Sequence, residues 1–303
     1  MKYLVTGGAG FIGTNLIIEL KKLGHTVRVI DNYVAGRMPE RVQSEVEYIE
    51  GDIRDRVVLD KAMQGMDGVF HLAALPRVVF SVENPAETHD VNVNGTLNVL
   101  LSARDNGVKR VVFSSSSSTY GDQEVFPVVE DVAIKKPLAP YALHKFIGEH
   151  YCRVFSELYS LQTVSLVYFN VYGPLCDPNG AYALVIGKFL QQRKNNEPLT
   201  VRGDGEMYRD YTHVSDVARA NILAMTSDQV GKGETINIGN NHPYSVNQLA
   251  EMIGGAKVTV PELPGEMRYI KADIQKAKKL LNWEPTITIE DGVATLKREW
   301  GIE

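Results

Sequence analysis

Short apolar runs recur along the first half of the chain, and longer segments with helical spacing separate them. "KYLVT" (2–6), "TVRVID" (26–31), "VEYIE" (46–50), "GVFHLA" (68–73), "RVVFSS" (110–115) and "TVSLVYF" (163–169) read as strands. Helices are predicted at about 11–23, 56–65, 86–106 and 141–160. Strands that alternate with helices predict an α/β protein with a doubly wound parallel sheet. Runs such as "RVVF" are apolar at successive positions, which fits strands buried on both faces.

After about residue 170 this rhythm breaks. "VYGPLCDPNGAY" reads as a loop, followed by a helix near 182–195 and a strand near 198–202. "GDGEMYRD" (203–210) is rich in turn residues. A helix at 214–226 and a strand at 234–239 return to the first pattern. Helices near 245–253, 273–281 and 289–299 complete the chain, with the loop "PELPGEMRY" among them. The expected organisation is a large domain over 1–170, rejoined at about 214–239, and a smaller α/β substrate domain formed mainly by 171–303.

Composition narrows the function classes. The 303 residues are 44% hydrophobic and 23% charged, with a net charge of -5. That balance argues against a strongly basic nucleic-acid surface. Cys152 and Cys176 match no CxxC or metal-ligand spacing, and the seven histidines form no HxxxH or HxH pair, so no metal site is expected. The opening apolar run is too short for a signal peptide. No stretch approaches the roughly 20 apolar residues of a membrane span. A cytoplasmic protein with no membrane or nucleic-acid partner is the expectation.

"LVTGGAGFIGTNL" (4–16) carries the first chemistry. Gly7, Gly10 and Gly13 stand between a predicted strand and a predicted helix. In a Rossmann-like arrangement the first permits a tight turn. The second lets a pyrophosphate approach the backbone, and the third lets helix pack on strand. The helix N-terminus offers amides and a positive dipole end to phosphate. Asp31 ends the second predicted strand, where a carboxylate binds a ribose 2′-hydroxyl and repels a 2′-phosphate, so NAD is expected rather than NADP.

Two further stretches supply a catalytic set. "SSSSSTYG" (114–121) closes a predicted buried strand, and "YALHK" (141–145) opens a predicted helix. Tyr141 and Lys145 are four apart and share a helix face. A tyrosine with a pKa near 10 is a poor base at neutral pH. A neighbouring ammonium favours its phenolate, which could then take a proton from a substrate hydroxyl. A serine could hold the same oxygen, and Lys145 could also bind a ribose.

With these stretches in view, the chain resembles the extended short-chain dehydrogenase/reductases of the NAD-dependent nucleotide-sugar epimerase/dehydratase group. The resemblance runs through "VTGGAGFIG", "GDIRD", "HLAA", "NVNGTLNVL", "SSSSSTYG", "YFNVYGP", "RDYTHVSDVA" and "ADIQKAKKLLNWEP". It implies that Asp52 and Ile53 meet the adenine, that Ala73 and Ala74 line the cofactor, and that Tyr168 lies near the nicotinamide. Phe11, Ile12, Asn32, Leu72 and Ser114 complete the implied cofactor set. Asn170 would reach the sugar diphosphate, and Arg209 would pair a substrate phosphate, as suits a guanidinium fork. The triad serine would be Ser116, beside Tyr141 and Lys145. Relatives often form homodimers through two long helices, here 86–106 and 141–160.

The resemblance also bears on the reaction. Dehydratases carry Asp and Glu after the triad serine, and decarboxylases a Glu at the second place. This chain has Ser117 and Ser118. What remains is 4-epimerisation of a UDP-sugar, of the UDP-glucose/galactose or UDP-N-acetylhexosamine type. Alternatives are another nucleotide-sugar oxidoreductase, a UDP-glucuronate epimerase, or a non-catalytic dinucleotide-binding regulator. Ile270 stands at the family's size-gating position. Leu263 replaces an arginine that grips phosphate in relatives, a loss of roughly 1.5–3 kcal/mol of binding unless Arg268 compensates. Arg77 could face the sugar, with a solvent-facing arginine the preferred reading.

Overall fold

The computed structural model describes residues 1–177, 185–261 and 268–302. The chain opens with β1 (Lys2–Thr6), α1 (Phe11–Lys22), β2 (Thr26–Asp31), β3 (Glu47–Glu50), α2 (Arg56–Met63) and β4 (Gly68–His71). It continues through α3 (Val78–Glu83), α4 (Pro85–His89), α5 (Gly95–Asp105), β5 (Arg110–Ser116), α6 (Pro140–Tyr159) and β6 (Gln162–Tyr168). Then come β7 (Val171–Tyr172), α7 (Val185–Lys194), β8 (Leu199–Arg202), β9 (Tyr208–Asp210), β10 (Thr212–His213) and α8 (Val214–Thr226). The last elements are β11 (Lys232–Ile238), β12 (Pro243–Ser245), α9 (Val246–Ile253), β13 (Lys257–Val260), α10 (Gln275–Leu281) and α11 (Ile289–Trp300).

Seven strands form one sheet in the order β11-β6-β5-β4-β1-β2-β3. Every pairing within it is parallel. The sheet is buried on both faces, as its apolar runs require. Tyr3 and Val5 of β1 join a core layer with α1, α8 and α10, while Leu4 joins the layer with α2, α5 and α6. This is the alternation of a strand between two helical layers. A third core, built on α7, β8, α9 and α11, belongs to the later part of the chain.

Register decides where the functional residues emerge. Thr6 pairs with Ile30 of β2 and with His71 of β4, and His71 pairs with Phe113 of β5. Gly7, Asp31, Leu72 and Ser114 therefore stand side by side at the carboxyl end of the sheet. Strand order reverses at β1, so these carboxyl ends surround a switch-point crevice.

Several expectations need adjustment. The predicted helix 86–106 is three consecutive helical segments, with a π-turn over Asp90–Asn94 between α4 and α5. The short α3 was not expected. Nor were β9, which pairs with β12, and β13, which pairs with β8. These are brief pairings between distant segments, and a local pattern carries no record of the partner. Buried Asp210 holds the later part together. Its carboxylate accepts hydrogen bonds from the backbone of Ala272 (2.9 Å), Asn240 (2.6 Å) and Asn241 (3.0 Å).

Candidate active site

A cleft of about 930 Å³ lies at the switch point. The glycine loop forms its floor. Gly7 has φ +71°, and a Cβ there would sit 2.7 Å from the backbone nitrogen of Ala73. A Cβ on Gly13 would lie 2.5 Å from the Gly7 carbonyl oxygen. Both glycines are thus demanded by turn and packing. Gly8, which the spacing argument passed over, is demanded too, because its Cβ would lie 2.7 Å from Val29. The α1 N-terminus has no side-chain cap. Its first amides face the cleft with a positive dipole end, which suits a pyrophosphate. No acidic residue stands in that first turn.

Asp31 accepts hydrogen bonds from Ala9 N–H (3.0 Å) and Tyr33 N–H (2.8 Å), which anchor it beside the loop. Burial raises its pKa against the lowering effect of those amides. Asn32 donates to Asp52 at 3.0 Å, and Arg54 pairs with the same carboxylate. The Arg54 hydrogen bond is the main reason Asp52 is held down at about 2. Gly7, Gly10, Phe11, Ile12, Gly13, Asp31, Asn32, Asp52, Ile53, Leu72, Ala73 and Ala74 all line the cleft.

A buried relay fixes the Leu72–Ala73 turn. Ala73 N–H donates to Thr6 Oγ1 (3.2 Å), which contacts His71 Nδ1 (2.7 Å). His71 Nε2 contacts Thr96 Oγ1 (3.0 Å), which donates to the Asn92 carbonyl (2.7 Å). Because Thr96 spends its proton on that carbonyl, His71 must donate through Nε2–H and accept at Nδ1. The imidazole is neutral, its pKa pushed down to about 3 by burial and then by the Lys145 ammonium. The Asn92 side chain, aimed back from the π-turn, grips Leu75 at both N–H (2.8 Å) and C=O (3.1 Å).

The other wall carries the polar set. Ser114, Ser116, Ser117, Ser118, Tyr141, Lys145, Tyr168 and Asn170 line the same cleft. Lys145 is 4% exposed and donates from Nζ to the Ser114 carbonyl at 2.7 Å. Burial brings its pKa down to about 8. Tyr141 lies one helical turn before it, and its backbone N–H is held by Ser81 Oγ at 3.0 Å. Ser116 Oγ accepts from Ser118 N–H (3.3 Å) and contacts Ser118 Oγ (2.9 Å). Tyr168 hydrogen-bonds Asn221 through its hydroxyl at 2.9 Å, while Asn170 donates to the Asp210 carbonyl at 3.1 Å.

Two expected substrate residues are not among the described residues that line this cleft. Ile270 is fully buried in the core layer with α8 and α10 and does not line the cleft. It belongs to the same buried cluster as Ala272 and Ile274. Arg209 is half-buried on β9, with its guanidinium donating to the Tyr208 carbonyl at 3.0 Å, and it too is absent from the lining. Leu263 lies outside the described residues. Arg268 is exposed and pairs with Asp204.

The structure adds residues that the sequence did not single out. Arg202, at the end of β8, lines the cleft from the later part of the chain. Arg41 lines it from the β2–β3 connection and donates to the Leu175 carbonyl from Nε (3.1 Å) and Nη2 (2.8 Å). Arg77, which the sequence reading did weigh, is exposed and also borders the cleft. No motif spacing marks these arginines, and long-range folding brings them in. Among the described residues, no group of His, Cys, Asp and Glu could hold a metal ion, and no helix is long and apolar enough to cross a membrane.

A parallel sheet with an uncapped glycine-loop helix, an acidic β2 terminus and a Ser-Tyr-Lys wall defines a dinucleotide-dependent enzyme of the Rossmann class. The comparisons sharpen this: the chain belongs to the NAD dependent epimerase/dehydratase family, whose model matches residues 3–239. It is 34% identical over 304 residues to a UDP-glucose 4-epimerase of Corynebacterium glutamicum, covering 95% of this chain and 92% of that one. The UDP-glucose 4-epimerase of Thermotoga maritima, solved with UDP-glucose, is 37% identical with a TM-score of 0.93, covering 99% of this chain and 98% of that one. The UDP-glucuronic acid 4-epimerase of Bacillus cereus, solved with UDP-glucuronic acid and NAD, is 31% identical with a TM-score of 0.90, covering 99% of both chains.

Proposed function

We propose that the protein is an NAD-dependent UDP-sugar 4-epimerase. The observation that carries this reading is the placement of Ser116, Tyr141 and Lys145 on the wall of a cleft whose floor is the glycine loop. When bound there, NAD supplies a two-electron acceptor that takes a hydride from sugar C4 and gives it back. The chain's residues manage the proton and the orientation. Tyr141 removes the proton of the 4-hydroxyl. The Lys145 ammonium, one turn along α6, stabilises the phenolate in which Tyr141 accepts that proton to become a phenol. Ser116 holds the sugar oxygen through its hydroxyl and carbonyl forms. The 4-keto sugar then turns in the cleft, and Tyr141 returns its proton as the opposite face is reduced. Sugar and cofactor end with no net oxidation.

Ser117 and Ser118 favour this reaction over elimination of water or loss of carbon dioxide, because neither presents a carboxyl group beside Ser116. Arg202 is assigned to the nucleotide end of the substrate, where a guanidinium suits phosphate. The same reading covers UDP-glucose, UDP-galactose, UDP-N-acetylhexosamine and UDP-glucuronate as candidate substrates. It places the enzyme in the cytoplasm as a homodimer joined through α5 and α6. Leu143 and Leu158 of α6 are 46% and 70% exposed, which leaves apolar surface for a partner helix.

The test is incubation of the purified protein with each UDP-sugar separately, without added NAD, followed by proton NMR. A C4 epimer from at least one sugar is expected. Failure with all of them, with and without NAD, would overturn the reading.

A further inference from the structure

Behind the serine wall lies a buried ionic cluster that the proposed reaction does not use directly. Glu149 is 5% exposed, on the α6 face that also carries Tyr141 and Lys145 at intervals of four. One carboxylate oxygen receives the Ser115 hydroxyl at 2.5 Å, and the other pairs with Lys135 Nζ at 2.5 Å. The Lys135 side chain is 6% exposed, from the segment that leads into α6, and its ammonium lies 4.8 Å from the centre of the Tyr120 ring. One carboxylate thus joins the serine strand, the helix of the catalytic pair and a second buried ammonium.

We propose that Glu149 is a positioning residue for the reaction: it clamps β5 to α6 and supplies the counter-charge that keeps Lys145 an ammonium in its buried seat. This rests on the epimerase reading for its catalytic consequence, though not for its electrostatic one. Lys135 pairs directly with this carboxylate, and buried Lys145 stands one turn before it on the same helix. A buried charge is tolerated only when compensated. Burial pulls Lys145 down, and Cys152 and Glu149 act in the opposite direction.

The other groups facing the cluster do not replace it. His71, across β4 and β5, is neutral. The Cys152 thiol, one turn beyond Glu149, is pushed up to about 12 by burial. Tyr120 is buried and raised, so it stays a phenol. Glu130 and Lys276 act on Lys135 from its outer side. Tyr141 is the proposed proton carrier. Ser114 offers Lys145 a carbonyl dipole and no full charge.

The experiment measures Lys145 by two routes. The first is competitive acetylation with acetic anhydride across pH, read by peptide mass spectrometry, which needs no turnover. The second is the alkaline limb of kcat/KM for a sugar that wild type converts. In Glu149→Gln both midpoints are expected to fall by at least one pH unit, with kcat falling more than KM rises. In Lys135→Met, where the carboxylate keeps its charge but loses its other partner, both are expected to rise by at least half a unit. Unmoved midpoints in a folded Glu149→Gln protein would overturn the proposal. If that variant does not fold, Lys135→Met decides: an upward shift supports the proposal and no shift overturns it. A labelling shift in protein that converts no sugar would uphold the electrostatic role while the epimerase reading fails.

Discussion

Tyr141 and Lys145 carry the account at the scale of single residues. Tyr141→Phe keeps the ring and removes the proton carrier, so kcat is expected to fall at least 100-fold, the usual worth of a general base. Bound cofactor should remain, which absorbance and fluorescence of the purified variant would check. Lys145 must be charged to support the phenolate, and its pKa lies near 8. Activity should therefore fall as pH rises through about 8, as a pH–rate profile would show. His71 makes the opposite kind of prediction, about stability. Its folded pKa of about 3 lies below the unfolded 6.5, so the unfolded chain binds the extra proton between those values. Stability should rise with pH across that window and be lost on acidification, by up to about 5 kcal/mol for this group alone. Thermal melts of wild type and His71→Gln from pH 7 to pH 4 would show a steeper acid loss in wild type. Tyr141, Lys145 and the serine run were legible as residue types at fixed spacing. His71 was not, because its partners Thr6 and Thr96 come from other elements.

The glycine loop and the α1 N-terminus are the decisive elements. Gly7→Ala would combine a positive φ with a Cβ in contact with Ala73 backbone, which cannot move without the cleft wall. A loss of roughly 1–3 kcal/mol is expected, together with loss of bound dinucleotide. Melting temperature and the absorbance of copurified cofactor measure the two effects. The strand–glycine–helix order made this element readable, since each step is local in sequence. The π-turn at Asp90–Asn94 was not readable. It lies within an ordinary helical pattern, and its purpose shows only when Asn92 meets Leu75 across the cleft wall. The same holds for β9 and β12, whose pairing depends on a partner more than thirty residues away.

For the whole molecule, the cleft joins two parts of the chain. The sheet presents its carboxyl ends, and β8 brings Arg202 to the same space. Substitution Arg202→Ala is expected to raise KM for the nucleotide sugar about tenfold while kcat changes little, the pattern of a uniform binding contact. Steady-state kinetics would separate this from a catalytic loss. Family position alone pointed to Arg209 and Ile270; in the structure Arg209 donates to the Tyr208 carbonyl, and Ile270 belongs to the buried cluster of α8 and α10. The alternation of strands and helices was enough to predict the parallel sheet. It could not say which later arginine would line the cleft, because that depends on how β8 is placed against the sheet. The central claim is that C4 loses and regains the same hydride within one cleft. Its most direct test is a UDP-sugar deuterated at C4, followed by NMR and mass spectrometry as it equilibrates with its epimer. Deuterium retained at C4 in both epimers, with none in solvent, is the predicted result. Washout of deuterium into water, or its accumulation in free reduced cofactor, would contradict the account.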